Sequence, residues 1–172
     1  MIADMLKGAL AGAAGTAALD AVTYLDMAGR GRPASNTPGE AVTRLADKAG
    51  IGIPGEGEQR ENRIAGLGPL LGIATGVAVG AAYGAVRAAA GRRPPLLLGA
   101  GLVGVAAMVG ADTPLAVLRI SDPRTWSAVD WLSDVVPHVA FGLVTAGTYA
   151  LLDGPGRAGT GCARRPRRRG AC

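Results

Sequence analysis

Long apolar runs alternate with shorter polar stretches along most of this chain. The runs cover residues 6–27, 67–90, 95–118 and 131–152. Each holds about 20 residues or more, which is the length of helix that crosses the roughly 30 Å hydrocarbon core of a bilayer. The pattern predicts an all-α polytopic membrane protein, a four-transmembrane-helix bundle formed by residues 1–153. A soluble helical domain is the competing class.

The second apolar run carries a glycine at every fourth position. These glycines are Gly68, Gly72, Gly76, Gly80 and Gly84. In water such a helix is poor, because each interior glycine costs about 1 kcal/mol relative to alanine. In a bilayer the backbone must satisfy its own hydrogen bonds, and the glycine ridge then lets another helix approach closely. Gly8, Gly12 and Thr16 repeat this spacing in the first run, so we expect these two helices to pack together. Contact between copies in a homo-oligomer is the alternative.

A polar loop over residues 29–64 separates the first two runs. Within it, Thr37 and Glu40 have the spacing of a capping box, and Pro38 suits the first turn of a helix. Apolar residues then recur at helical spacing until Gly50, which predicts a short amphipathic helix over residues 38–49. This helix either lies on the membrane surface or packs over the end of the bundle.

Composition agrees with a membrane location. Apolar residues make up 49% of the chain and charged residues 18%, against about 25% charged residues in soluble domains. The first run also resembles a cleaved signal peptide in outline, but it lacks a clearly basic start and a small-residue cleavage site, so we expect it to be retained. The expected partner of the chain is therefore the lipid bilayer.

The distribution of arginines predicts the orientation. Four spans place the N-terminus, the turn at Gly91 and the C-terminal tail on one side. That side carries Lys7, Arg87 and the arginines of the turn and tail, which favours both termini in the cytoplasm and an inner-membrane location in the cell. Residues 154–172 form an arginine-rich segment that we expect to be disordered. Such a run beside a last span contacts anionic lipid headgroups more often than nucleic acid, and no nucleic-acid partner is expected.

Four of the titratable side chains inside the predicted spans form a candidate polar pocket. They are Asp20, Asp112, Asp134 and His138. At about 1.5 Å per residue, all four lie in the half of the membrane that faces the two outer loops. One interpretation is an outward-facing polar pocket that binds a proton, a cation or a small polar solute, since intramembrane charge is costly. The other is structural, because Asp112 and Asp134 lie near helix ends where carboxylates reach water or complement the helix dipole.

No enzyme motif accompanies these residues. The chain has no nucleophile elbow, P-loop, zinc-protease motif or dinucleotide fingerprint. With one histidine, and both cysteines in the tail, no cofactor or metal is expected. The sequence favours a non-enzymatic membrane protein of envelope or stress physiology. The alternative is a small proton- or ion-coupled transporter or channel, and a carboxylate-based membrane hydrolase ranks behind both.

One stretch resembles a known family. The residues concerned are Asp112-Thr113-Pro114, Asp122-Pro123, Trp126, Trp131, Ser133-Asp134, His138 and Phe141-Gly142. They resemble the last span and preceding loop of YagU-like bacterial inner-membrane proteins. Those are multi-pass proteins of poorly defined function, some linked with tolerance of acid stress. The resemblance implies a bacterial inner-membrane location and draws attention to Asp134 and His138, and it implies no reaction.

Overall fold

The computed structural model describes residues 1–91 and 94–154, and all the regular secondary structure in this part of the chain is helical. Its five α-helices and one short 3₁₀ helix run in the order α1 (Ile2–Arg30), α2 (Thr37–Ala49), α3 (Gly57–Ala90), α4 (Leu96–Val117), the 3₁₀ helix (Pro123–Thr125) and α5 (Ala128–Asp153). The described residues contain no strand. The all-α prediction is therefore confirmed, whereas the tail beyond residue 154 lies outside the described residues.

Three of these helices, α3, α4 and α5, are long and apolar enough to cross a membrane. Helices α3 and α5 contain the predicted spans 67–90 and 131–152, and α4 covers the predicted span 95–118 except for its first and last residues. The predicted span 6–27 lies within α1, which is not among the three, so the count of four spans is not confirmed. The reason is composition: Lys7, Asp20 and Asp26 interrupt α1, and alanine and glycine supply much of the rest.

Helix α1 packs between α3 and α5. Against α3 the contact is glycine on glycine: a Cβ added to Gly80 would lie 2.6 Å from the Cα of Gly12, and one added to Gly84 would lie 3.2 Å from the Cα of Gly8. The predicted pairing of the first two glycine-rich helices is present. Since early residues of α1 meet late residues of α3, the two helices run antiparallel.

The ridge of α3 does not act as one surface. Gly76, Gly80 and Gly84 are buried against α1 and its neighbours, and Gly68 is buried against Pro38 of α2. Gly72 is exposed, and a Cβ added there would meet no atom within 4 Å. The glycines at every fourth position therefore contact two different helices, α1 and α2. Gly72, between these two contacts, touches neither helix.

Helix α5 joins α1 to α4. A Cβ on Gly15 of α1 would lie 2.9 Å from the carbonyl oxygen of Phe141, and a Cβ on Gly142 would lie 3.1 Å from the Cα of Gly104 in α4. Phe141 and Tyr149 are 1% and 2% exposed and occupy the centre of this packing. Neighbouring long helices run antiparallel, which places both ends of the described chain at the same end of the bundle.

The polar loop is shorter than predicted. Helix α3 begins at Gly57 and not near residue 67, because residues 57–66 hold good helix formers and no proline. At 34 residues α3 measures about 51 Å, longer than a hydrocarbon core. Helix α2 packs on this extension, where a Cβ on Gly39 would lie 2.9 Å from Ile64. The predicted capping box is wrong: Asn36 stands at the N-cap position, and Ser35 Oγ accepts the Thr37 N–H at 3.2 Å.

Candidate functional site

The polar residues predicted for the site separate into a cluster of three and an isolated one. Asp112 on α4 and Asp134 and His138 on α5 come together at the end of the bundle opposite the start of α1. Asp20 on α1 is half-buried and makes no hydrogen bond or ion pair with any residue that the structure describes. We call Asp112, Asp134 and His138 the Asp/His cluster.

His138 is held by its own helix. Its Nδ1 lies 2.8 Å from the backbone carbonyl oxygen of Asp134 and 3.4 Å from that residue's Oδ1. A carbonyl oxygen only accepts hydrogen bonds, so Nδ1 carries a proton and donates it. In a neutral imidazole the Nε2 atom is then an acceptor. His138 is 9% exposed, so the ring is almost fully enclosed.

The two carboxyl groups of the cluster are neighbours. Asp112 interacts electrostatically with Asp134 and with His138. Asp134 Oδ2 is buried and receives no hydrogen bond in the described part of the chain. Two carboxyls form a hydrogen bond with each other only when one of them carries a proton, so this pair is a place where a proton can be held.

Small residues make this approach of α4 and α5 possible. A Cβ on Gly104 would lie 2.9 Å from the carbonyl oxygen of His138, so the backbones touch below the cluster. Ser127 and Asp130 form a capping box that starts α5 about two turns before Asp134. The α4–α5 glycine contact was not predicted, although Gly104 and Gly142 are small residues on apolar helices, which is the signal that indicates close packing.

A shallow groove of about 240 Å³ runs along α4 and α5 beside the cluster. Its walls are apolar, with Leu97, Val105 and Met108 on one side and Val135 on the other, and His138 is its one titratable lining residue. Asp20 and Asp112 do not line it. Within residues 1–91 and 94–154, no set of three carboxylate, imidazole or thiol groups is arranged to hold a metal ion.

A second polar group links α1 to α5 at the same end of the bundle as the Asp/His cluster. Arg30 donates from Nε to Asp26 Oδ1 at 2.6 Å and from its terminal nitrogen to Ser133 Oγ at 2.7 Å. Arg32 donates to Asp26 Oδ2 at 2.7 Å. Ser133, the α5 member of this group, directly precedes Asp134. The end of α1 therefore helps to fix the helix that carries the cluster.

The aromatic residues at the two ends of the bundle differ in burial. Tyr24 is 60% exposed, and the rings of Trp126 and Trp131 contact edge to face at 5.0 Å near the start of α5. At the other end Tyr149 is a core residue, because its ring is enclosed by α1, α3 and α5.

The chain matches no family model, no curated protein and no solved structure. The functional assignment therefore depends on the geometry of the chain itself.

Proposed function

We propose that this protein is a non-enzymatic, four-span integral membrane protein of the bacterial inner membrane, with both termini in the cytoplasm and a role in envelope or stress physiology. Three helices of spanning length support the membrane location. The observation that carries the fourth span is the position of α1, which packs on both α3 and α5. If its neighbours cross the bilayer, α1 must lie at the same depth.

The charges of α1 support this arrangement. Near its start Lys7 pairs with Asp153 at 3.2 Å, and near its end Asp26 pairs with Arg30 and Arg32. Lys7 and Asp26 are separated by 19 positions, which correspond to about 28 Å of helix, close to the thickness of a hydrocarbon core. Paired charges thus stand at both ends, with Asp20 alone between them. Leu6 and Leu10 provide an exposed apolar stripe for lipid.

Extraction tests the membrane location. Membranes that contain the full chain are washed with carbonate at high pH and then sedimented. We expect the protein to stay in the pellet and to be released by detergent. Release at high pH without detergent would overturn the proposal in favour of a soluble or peripheral helical protein.

A second candidate function is proton-linked transport or sensing through the Asp/His cluster. The carboxyl pair of Asp112 and Asp134 favours it, because two neighbouring carboxyls can share a proton and Asp134 Oδ2 is buried without a hydrogen-bond partner among the described residues. The apolar walls of the neighbouring groove and the isolation of Asp20 favour the non-transporting role instead. We therefore rank proton-linked activity second.

Proteoliposomes distinguish the two functions. Proton uptake is followed with an internal pH dye under an imposed gradient, for the natural chain and for Asp112→Asn. The asparagine amide donates a hydrogen bond to Asp134 permanently, so it preserves the contact and removes the exchangeable proton. A flux that Asp112→Asn abolishes would make the transport function the better account. Equal permeability in protein-containing and empty vesicles supports the non-transporting role.

A further inference from the structure

Two tyrosines hold Arg87 in a fixed position at the end of the bundle where α1 begins. Its guanidinium carbon lies 5.7 Å from the ring centre of Tyr83 and 5.2 Å from that of Tyr149. One terminal nitrogen donates to the Tyr83 hydroxyl at 3.0 Å. The two rings contact edge to face at 5.4 Å, and Tyr149 is 2% exposed. A buried ring thus fixes the cation, with stacking that favours arginine.

The neighbouring charges are already paired. The carboxylate of Asp4 lies 3.0 Å from the N-terminal ammonium and 3.6 Å from Lys7, and Lys7 lies 3.2 Å from Asp153. The hydrogen bond from the N-terminal ammonium lowers the pKa of Asp4 below its usual value, so this carboxylate stays charged. Arg87 has no carboxylate within ion-pairing distance among the described residues. Among the residues that the structure describes, it is the unbalanced cation of this end.

Most of the hydrogen-bonding capacity of Arg87 is unused. A guanidinium has five N–H donors, and the Tyr83 hydroxyl is the one acceptor that the described residues provide. Arg87 lies three residues before the end of α3, a candidate span, so it is placed near the level of the lipid headgroups. Planar guanidinium groups bind phosphate oxygens through two parallel hydrogen bonds, and basic sites between spanning helices bind anionic headgroups.

We propose that Arg87, fixed by Tyr83 and Tyr149, binds the phosphate of an anionic phospholipid headgroup at the α1–α3–α5 end of the bundle. This inference depends on the proposed membrane location and concerns a site separate from the Asp/His cluster. It is also separate from the arginine-rich tail, which lies outside the described residues. A lipid is the expected source of the phosphate because the site is on a helix of spanning length.

The test compares lipid binding by variants of the full chain in detergent. Binding of phosphatidylglycerol and of phosphatidylcholine is measured by native mass spectrometry for the natural chain, Arg87→Gln and Arg87→Lys. Arg124→Gln is the matched control, because Arg124 is exposed at the opposite end. The tail is unchanged in every variant, so differences report on Arg87. We expect phosphatidylglycerol binding to weaken at least about tenfold in Arg87→Gln and not in Arg124→Gln.

Two further variants, Arg87→Lys and Tyr83→Phe, extend the comparison. Arg87→Lys retains the charge but loses the planar fork, so its affinity should lie between those of the natural chain and Arg87→Gln. If Arg87→Gln does not fold, Arg87→Lys and Tyr83→Phe provide the comparison, since Tyr83→Phe releases the guanidinium but keeps the ring. Undiminished phosphatidylglycerol binding in Arg87→Gln, or in both of these variants, would overturn the proposal. Equal competition by inorganic phosphate would assign the site to free phosphate and overturn the lipid assignment. In either case, retention of the protein in carbonate-washed membranes would leave the proposed function standing.

Discussion

Gly12 of α1 and Gly80 of α3 are in backbone contact, so that a Cβ added to Gly80 would lie 2.6 Å from the Cα of Gly12 and 2.7 Å from its nitrogen. Neither atom belongs to a flexible side chain that could move aside. The contact places α1, which is not among the three helices apolar enough to cross a membrane, against a helix that is. The account of a four-span bundle therefore depends on this contact.

Gly80→Ala should destabilise the folded protein. The added methyl group would press on the backbone of α1, and overpacking of this kind costs about 1–3 kcal/mol. The measurement is the free energy of reversible unfolding in mixed micelles, followed by the fluorescence of Trp126 and Trp131.

Gly72→Ala is the matched control on the same helix. Gly72 lies on the same sequence spacing but faces open space. This substitution should leave the free energy of unfolding unchanged or raise it by up to about 1 kcal/mol, since alanine is the better helix former. Equal destabilisation by Gly80→Ala and Gly72→Ala would contradict the assignment of Gly80 to the α1–α3 contact.

Gly142→Ala should loosen the pairing of α4 and α5. A Cβ there would stand 3.1 Å from both the Cα and the nitrogen of Gly104, again backbone atoms. We expect a loss of about 1–3 kcal/mol in the same unfolding assay. Gly147→Ala, on the same helix with no atom within 4 Å of its added Cβ, should have little effect. If both variants unfold alike, the backbone contact with Gly104 does not stabilise the bundle.

The titration of His138 should respond to Asp112 and not to Asp20. Asp112 and Asp134 both interact with the His138 ring, whereas Asp20 makes no such interaction. The ring signals are followed by NMR across pH in the natural chain, in Asp112→Asn and in Asp20→Asn. We expect a displaced midpoint in Asp112→Asn and an unchanged one in Asp20→Asn. A displacement by Asp20→Asn of the same size would show that Asp20 belongs to the cluster after all.

Periodicity in the sequence was enough to predict the glycine pairing of α1 with α3. It was also enough to place Asp112, Asp134 and His138 at one depth, because rise per residue depends only on position in a helix. Depth alone does not show which sides of the helices are in contact, so Asp20 was expected in the same pocket. The titration of His138 in Asp20→Asn tests whether Asp20 is energetically coupled to the cluster.

Other features depend on tertiary packing and were missed for that reason. The burial of Tyr149 follows from the position of α1 between α3 and α5. In the sequence alone, a tyrosine near a helix end is equally typical of an anchor at the membrane interface. Arg87 looked like one basic residue among many at that end. Its distinctive property, a cation between two rings without a carboxylate, arises only once α3 and α5 are packed together.

The most direct test of the four-span account is the sidedness of three positions around α1 and α3. Single cysteines are placed by Ile2→Cys, Ser35→Cys and Ala90→Cys in a chain whose Cys162 and Cys172 are replaced by serine. They are then labelled with a membrane-impermeant maleimide in intact cells and in inverted vesicles. We predict that Ser35→Cys is labelled in intact cells and that Ile2→Cys and Ala90→Cys are labelled only in inverted vesicles. Labelling of Ile2→Cys and Ser35→Cys from the same side would show that α1 does not cross the membrane and would contradict the account.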